Sequence, residues 1–180
     1  DQSETFIGNG GADQISAGAG NDTVVMNASN VTALSAVNTA LADGGTGVNV
    51  FKLDGSVIVL DFTNTTVNAK VNNFSVVDVK GSGNNTVKLA LQDVLDMAAV
   101  TDNTTTPVNE TDMLVVKGDA GDVLQLKTGS GWTQLAGQSG ITLSSTFGAE
   151  YGFEVGHTYS QYTQGTATLF VDELMTRSMV

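Results

Sequence analysis

Residues 8–25 read GNGGADQISAGAGNDTVV and consist of two nine-residue units in direct succession. Each unit has glycine at its fourth position, aspartate at its sixth and an apolar residue at its eighth: Gly11, Asp13 and Ile15, then Gly20, Asp22 and Val24. A third unit, GGTGVNVFK at 44–52, keeps the glycines but has Asn49 in place of the aspartate. Because glycine tolerates the positive φ of tight turns, the pattern predicts glycine-rich loops that alternate with short strands.

The repeated unit has the form G-G-x-G-x-D-x-U-x, which is typical of calcium-binding repeats. Such a turn directs backbone carbonyls inward, and the Asp carboxylate adds the negative charge that a hard cation prefers. We therefore expect several Ca²⁺ ions, with loop 8–13 stacked on loop 44–49 and Asp22 near the edge of that stack. The predicted ligands are Gly8, Gly11, Asp13, Gly18, Gly20, Asp22, Gly45, Gly47 and Asn49. An ordinary series of Asx turns is the alternative.

A second glycine-flanked acidic loop reads GDAGD at 118–122. Its Asp119 and Asp122 are further candidate calcium ligands, and a simple turn role is the alternative.

The rest of the chain favours strands. Val and Thr are abundant, glycine occurs 21 times and proline once. Apolar residues alternate at 87–91, and the run at 57–60 is apolar throughout, which predicts a half-buried strand and a strand buried on both faces. We expect an all-β fold: a calcium-bound β-sandwich or β-roll-like module with short strands and one or two short helices.

Two segments have helical character. Apolar residues recur at helical spacing within 27–43, which predicts a helical insertion capped by Asn30 or Thr32. Residues 91–97 predict one or two further helical turns, and 101–111, with the only proline, predict a surface loop.

We expect one module over residues 1–180. Within it, 1–52 form the nonapeptide calcium-binding part with the insertion at about 27–43, and 53–180 form the β-rich part.

Charge and composition exclude several functions. The net charge is −12, which disfavours nucleic acid and anionic membranes as partners, because both require a cationic surface. There are no cysteines, so disulfides, thiolate metal sites and cysteine catalysis are excluded. No apolar run approaches the roughly 20 residues that span a bilayer, so we expect no membrane insertion.

The sequence offers little for catalysis. His157 is the only histidine and fits a strand position better than a catalytic one. Glu150 and Glu154 could form a glycosidase pair, although solvated or calcium-linked carboxylates fit them better. We therefore expect no enzyme. Aromatic residues are concentrated in the last third of the chain. Trp132, Tyr151, Tyr159 and Tyr162 are candidates for contact with a ligand, although core or cross-strand packing fits these aromatics better.

Beyond the nonapeptides, several segments resemble the giant RTX (repeats-in-toxin) adhesins of Gram-negative bacteria. These segments are VNNFSVVD at 71–78, GSGNNTVKL at 81–89, DVL at 93–95, LVVKGDAGD at 114–122, GWT at 131–133 and YSQYTQGTATLFVD at 159–172. Their order resembles modules of the distal region of such adhesins, and the resemblance covers nearly the whole chain.

The resemblance implies a calcium-dependent ligand-binding module, exported by type I secretion to the cell surface and active in adhesion and biofilm formation. Its ligand would be a peptide or protein, or else a glycan, on a host or neighbouring cell. Its other partners would be modules of the same giant chain, and the isolated module would be monomeric. A structural spacer that calcium rigidifies is the main alternative, and a hydrolase or epimerase accessory domain is a more remote one.

Overall fold

The structure is a computed structural model that describes residues 2–37, 39–81, 83–98, 112–129, 131–134, 139–140 and 151–180. The predicted surface loop at 101–111 lies outside these ranges. The strands are β1 Thr5–Ile7, β2 Gln14–Ser16, β3 Thr23–Met26, β4 Leu41–Asp43, β5 Val50–Leu53, β6 Val59–Asp61, β7 Val71–Asn72, β8 Val76–Asp78, β9 Thr86–Leu89, β10 Met113–Lys117, β11 Val123–Leu126, β12 Thr133–Gln134, β13 Tyr159–Gln164, β14 Ala167–Asp172 and β15 Thr176–Met179. The helices are α1 Ala28–Ser35, α2 Thr65–Asn68 and α3 Leu91–Met97.

The chain winds so that strands far apart in sequence lie side by side. The largest sheet has eight strands in the order β1-β3-β5-β8-β10-β14-β13-β12, and its first six strands are parallel. Strands β13 and β12 extend it in antiparallel fashion. Two smaller parallel sheets have the orders β2-β4-β7 and β15-β11-β9-β6. In the large sheet Thr5 pairs with Thr23, and Thr23 with Val50, so each return of the chain adds one strand.

The predicted all-β fold, a β-sandwich or β-roll-like module, is wrong. The architecture is α/β, with sheets of mostly parallel strands and three helices. Parallel neighbours need a crossover connection, and helices commonly fill such connections. Here α1 lies between β3 and β4, α2 between β6 and β7, and α3 between β9 and β10. The glycine turns had suggested an all-β module, but most of the described strands pair in parallel with strands from another return of the chain.

A helix is present in the predicted insertion, but it covers only Ala28–Ser35, whereas Leu41–Asp43 form β4, and its cap also differs from the predicted one. Asn27 caps α1, because its side chain accepts hydrogen bonds from the backbone N–H groups of Ser29 and Asn30. Asn30 and Thr32, the predicted caps, lie inside the helix. The helical turns predicted at 91–97 are confirmed as α3.

The strand predictions had mixed outcomes. Strand β9 is half-buried as predicted, with Val87 and Leu89 inside. The run at 57–60 is not buried on both faces, because Val57 is 79% exposed and Val59 is 49% exposed.

The eight-stranded sheet separates two clusters of buried side chains. Successive residues of a strand point to opposite faces, so Val77 belongs to the larger cluster and its neighbour Val76 to the smaller one. The larger cluster includes Trp132 and Tyr162, and the smaller one includes Tyr151 and Tyr159. The four candidate aromatics are therefore divided between the two faces of this sheet.

Candidate functional site

Two of the three glycine loops lie directly against each other. Loop 17–22 contacts loop 44–49 through hydrogen bonds of 3.0 Å from Gly20 N–H to the Thr46 carbonyl and 2.8 Å from Thr46 N–H to the Gly18 carbonyl. We call this pair of loops the glycine stack. It contains the predicted ligands Gly18, Gly20, Asp22, Gly45, Gly47 and Asn49.

Glycine is required where the two backbones meet. Gly45 has φ of 73°, and a Cβ atom there would lie 1.9 Å from the carbonyl oxygen of Gly18. Gly47 has φ of 119°, and its Cβ would lie 2.1 Å from the carbonyl oxygen of Gly20. The motif glycines thus allow an approach that a side chain would prevent.

The predicted stacking of loop 8–13 on loop 44–49 is wrong, because the first turn of α1 covers loop 8–13. Asn30 Oδ1 accepts a hydrogen bond of 3.0 Å from Gly10 N–H, and Asn30 Nδ2 donates one of 2.7 Å to Asp13 Oδ2. The helix thus occupies the place where a further glycine loop was expected. The predicted ligands in this loop are Gly8, Gly11 and Asp13.

Asp22 lies in the glycine stack and is fully buried. Its Oδ1 accepts a hydrogen bond of 2.8 Å from Glu4 N–H, whereas its Oδ2 has no hydrogen-bond partner among the described residues. A buried carboxylate oxygen without a partner costs free energy, because the group has lost its hydration. This oxygen is therefore the point in the loops where a cation would be most stabilising.

Asn49 is also fully buried, and its side-chain amide both accepts and donates a hydrogen bond. Oδ1 accepts a hydrogen bond of 2.9 Å from Asp22 N–H, and Nδ2 donates one of 3.1 Å to the Asn73 carbonyl. An ionised aspartate has no hydrogen to donate. The departure from the repeat pattern at this position thus has a structural reason.

The two candidate ligands in loop 118–122 bind backbone amides. Asp122 is buried; its Oδ1 accepts from Asn85 N–H at 2.7 Å, and its Oδ2 accepts from Asp119 N–H at 2.8 Å. Asp119 Oδ2 accepts from Gly81 N–H at 3.0 Å. Both carboxylates thus join two adjacent loops, and a role in calcium binding stays a prediction.

Sequence reasoning missed Asn85, which is buried beside Asp122. Its Oδ1 accepts from Ile58 N–H at 2.9 Å, and its Nδ2 donates to the carbonyls of Gly55 and Val79 at 3.1 Å each. Its place just before a strand, as with Asn49, is the signal that could have identified it.

Two of the four candidate aromatics line one cavity. This cavity of about 290 Å³ lies between β11 and β15 on one side and β13 on the other, and its lining residues are Leu126, Trp132, Tyr162, Arg177, Ser178 and Met179. Tyr151 and Tyr159 do not reach it, because they pack in the smaller core cluster. Burial raises the pKa of Tyr159 to about 12, so its phenol stays protonated at neutral pH.

Arg177 was also missed, although it is the only arginine in the chain. Its guanidinium donates a hydrogen bond of 2.7 Å to Ser160 Oγ, and Ser160 Oγ donates one of 2.9 Å to Glu173 Oε1. Hydrogen bonds from Gly140 N–H and Ser160 hold the pKa of Glu173 below its usual value. Among the described residues, Arg177 forms no direct ion pair.

A separate polar cluster surrounds the only histidine. His157 Nδ1 lies 2.6 Å from Oδ2 of the fully buried Asp172, and Glu154 forms an ion pair with Lys80. The hydrogen bond from Lys80 lowers the pKa of Glu154. His157 precedes β13 rather than lying in a strand, so the predicted strand position is wrong. Glu150, the other half of the considered glycosidase pair, lies outside the described residues.

Within the described ranges, no three His, Cys, Asp or Glu side chains are grouped so that they could hold a metal ion. A calcium ion at the glycine stack would therefore depend mainly on backbone and amide oxygens, with Asp22 as its carboxylate.

None of the described helices has the length and apolar character needed to cross a bilayer. No family model matches this chain, and neither does any curated protein or solved structure.

Proposed function

We propose that the chain is a calcium-dependent ligand-binding module of a secreted adhesin. The observation that carries the proposal is the fully buried Asp22, whose Oδ2 has no partner among the described residues. The sequence resemblance to RTX adhesins supports the adhesive role.

The contrast between two buried aspartates supports a cation beside Asp22. Asp122 uses both carboxylate oxygens to accept backbone N–H groups. Asp22 uses only Oδ1 in this way. Removing one partner from a buried charged group typically costs about 3 to 5 kcal/mol, and a bound cation would supply the missing partner.

The residues of the glycine stack fit calcium. Ca²⁺ takes six to eight oxygen ligands and accepts backbone carbonyls beside carboxylates. Asp22 would supply the carboxylate, and backbone carbonyls of the loops, with that of Gln2, would be the candidates for neutral oxygens. The Gln2 carbonyl lies 2.0 Å from the point that a Cβ on Gly20 would occupy, so glycine keeps this oxygen close to the loop. Bound calcium would neutralise the buried charge and fix the loops.

The charge of the module favours this role over nucleic-acid or membrane binding. Its net charge is −12, which opposes contact with polyanions. A cell-surface location in a Gram-negative bacterium, with type I secretion, is proposed from the sequence resemblance. Peptide or protein recognition is our first proposal for the ligand, and glycan recognition is the second.

Thermal unfolding tests the calcium part of the proposal. We expect the melting temperature to rise when EDTA is replaced by calcium at about 5 mM, above the roughly 10⁻⁴–10⁻³ M dissociation constants of extracellular sites. Magnesium at the same concentration should have a smaller effect, because it dehydrates reluctantly and demands octahedral geometry.

The variant Asp22→Asn shows where the ion binds. Its Oδ1 can still accept from Glu4 N–H, but the charge is absent. We expect it to be at least as stable as the wild type in EDTA and less stable in calcium. The control Asp54→Asn changes an exposed carboxylate and should leave the calcium effect intact. No calcium effect in the wild type, or an undiminished effect in Asp22→Asn, would overturn the proposed site.

Ligand binding is tested on the calcium-loaded protein with arrays of peptides and glycans. Binding that EDTA abolishes would support the adhesive role. Calcium stabilisation with no binding to either array would instead favour a rigid spacer module.

A further inference from the structure

We propose that the cavity lined by Trp132, Tyr162 and Arg177 binds a carboxylate attached to an apolar or aromatic group. This inference rests on the proposed function for its biological purpose, because it names a ligand class for the proposed binding module. The cavity lies apart from the glycine stack, because its described lining residues all come after residue 125 in the chain.

The cavity walls match the apolar part of such a ligand. Leu126, Trp132, Tyr162 and Met179 contribute apolar or aromatic surface. The volume of about 290 Å³ is near the lower limit of the roughly 300–1,000 Å³ of small-molecule sites, so the ligand would be small or would insert only one end. Trp132 is only 7% exposed, so it offers little accessible surface on which a sugar ring could stack.

The polar group in the cavity matches a carboxylate. Arg177 is the only arginine in a chain with 19 acidic residues, yet it forms no ion pair with any described residue. A guanidinium has five N–H donors, and in the described structure one bond to Ser160 Oγ accounts for one of them. The N–H groups that remain form a planar fork, which can bind both oxygens of a carboxylate at once.

Two further features indicate a prepared site. Ser160 is fully buried and links Arg177 to Glu173, so the guanidinium is oriented by a fixed neighbour. Trp132 Nε1 is buried with no hydrogen-bond partner among the described residues. An unpaired indole N–H is costly, so a residue of the cavity wall carries an unsatisfied donor. Tyr162, another residue of the cavity wall, is also buried, and this burial raises its pKa.

Fluorescence provides a selective test, because Trp132 is the only tryptophan in the chain. The probes are 3-phenylpropionate and a tripeptide that ends in phenylalanine with a free carboxylate, each compared with its amide. We expect a saturable change in emission with the acids and none with the amides. Binding of the peptide acid alone would identify a chain terminus as the ligand, and binding of both acids would identify free small acids as well. Equal binding of acids and amides, or no binding of any probe, would overturn the proposal.

Substitutions test the part played by the guanidinium. Arg177→Gln should weaken acid binding about tenfold or more, because a charge-assisted bidentate contact is lost. Lys127→Gln, which removes an exposed positive charge at the end of β11, should leave binding unchanged. If Arg177→Gln fails to fold, Arg177→Lys keeps the charge and should reduce the preference for acid over amide. Unchanged binding in both Arg177 variants would contradict the assignment.

The same titrations in EDTA and in calcium separate this inference from the proposed function. Calcium stabilisation without acid binding would overturn the cavity as a ligand site and leave the calcium proposal standing. Acid binding without calcium stabilisation would overturn the calcium proposal and leave the cavity standing as a ligand site.

Discussion

The backbone N–H of Asp22 donates a hydrogen bond of 2.9 Å to the side-chain Oδ1 of Asn49, 27 residues farther along the chain. The bond joins one return of the chain to the next inside the fold, where both residues are fully buried. Asp22 in turn accepts from the backbone N–H of Glu4. Asp22 and Asn49 thus each hold a backbone amide of the preceding return.

The same arrangement recurs at a second position. Asn85 accepts from Ile58 N–H, and Asp122 accepts from Asn85 N–H. We call each such series of side-chain to backbone hydrogen bonds a ladder. The two ladders involve different parts of the chain, but in both a buried side chain accepts from a backbone amide of the preceding return. We infer that these side chains fix the register of successive parallel strands, because their hydrogen bonds replace the regular ladder at the loops.

Asn49→Asp should destabilise the protein by about 3 kcal/mol, the scale of leaving a buried charge unpaired. The substitution removes the donor to the Asn73 carbonyl and adds a carboxylate near Asp22. Urea unfolding in EDTA at neutral pH measures the free energy of unfolding under conditions in which bound metal cannot contribute. The control Asn21→Asp lies in an exposed part of the glycine stack, where either residue can accept from Val48 N–H. Equal stability of the two variants would contradict this account of the ladder.

The close approach of the two glycine loops gives a second prediction. Gly18 and Gly47 both have positive φ, 99° and 119°. A Cβ on Gly18 would meet nothing within 4 Å, whereas one on Gly47 would lie 2.1 Å from the Gly20 carbonyl. Gly18→Ala should therefore cost only the backbone strain, of order 1–3 kcal/mol. Gly47→Ala should cost about 1–3 kcal/mol more, because the loops must separate.

Comparison of the two alanine variants by urea unfolding separates the clash from the strain. The slope of the transition should stay the same, since the change in exposed surface is unchanged. If both variants lose the same stability, the loops are not as closely packed as the structure indicates.

Sequence reasoning identified the glycine loops but not the sheets that they connect. The nine-residue period is a local signal, because the turn glycines and the aspartate lie within one unit. Strand pairing is not local: Gln14 pairs with Leu41, and Met113 with Thr168. The interval between partners in parallel strands ranges from 18 residues for Thr5 and Thr23 to 55 for Met113 and Thr168, so no single period reveals the pairing. Short strands with glycine turns therefore suggested an all-β module where parallel crossovers are present.

The candidate sites were predictable to different degrees. Asp22 and Asn49 were found because they occupy a fixed position in the repeat. Arg177 and Trp132 line the same cavity although they lie far apart in the chain, and no local pattern specifies that arrangement. For Tyr151 and Tyr159 residue type allowed either a ligand contact or a core position, with the core position favoured, and both side chains lie in the smaller core cluster.

A buried carboxyl in α3 predicts a specific dependence of stability on pH. Asp93 is buried, accepts a hydrogen bond of 2.6 Å from Ala90 N–H, and has its pKa raised from 3.8 to about 6 mainly by burial. The folded protein therefore binds this proton more tightly than the unfolded chain. The resulting stability is fully present below about pH 4 and is lost as the pH rises through 6.

Asp93→Asn should remove this dependence. Its Oδ1 can still accept from Ala90 N–H, and no charge is buried at neutral pH. We expect the variant to gain at most about 3 kcal/mol relative to the wild type at pH 8, since one pKa unit corresponds to about 1.4 kcal/mol. Urea unfolding from pH 4 to pH 8 measures it, with the exposed Asp54→Asn as the control. A constant difference across this range would contradict the raised pKa.

The contact between His157 and Asp172 gives the last prediction. Asp172 is fully buried; its Oδ2 lies 2.6 Å from His157 Nδ1, and its Oδ1 accepts from Leu174 N–H at 3.0 Å. His157→Ala leaves a carboxylate oxygen unpaired and should cost about 2–3 kcal/mol. Asp172→Asn in that background should recover part of the loss, because the amide carries no charge and keeps an acceptor for Leu174. A double-mutant cycle measures the coupling, and additivity within about 0.5 kcal/mol would show that the two side chains act independently.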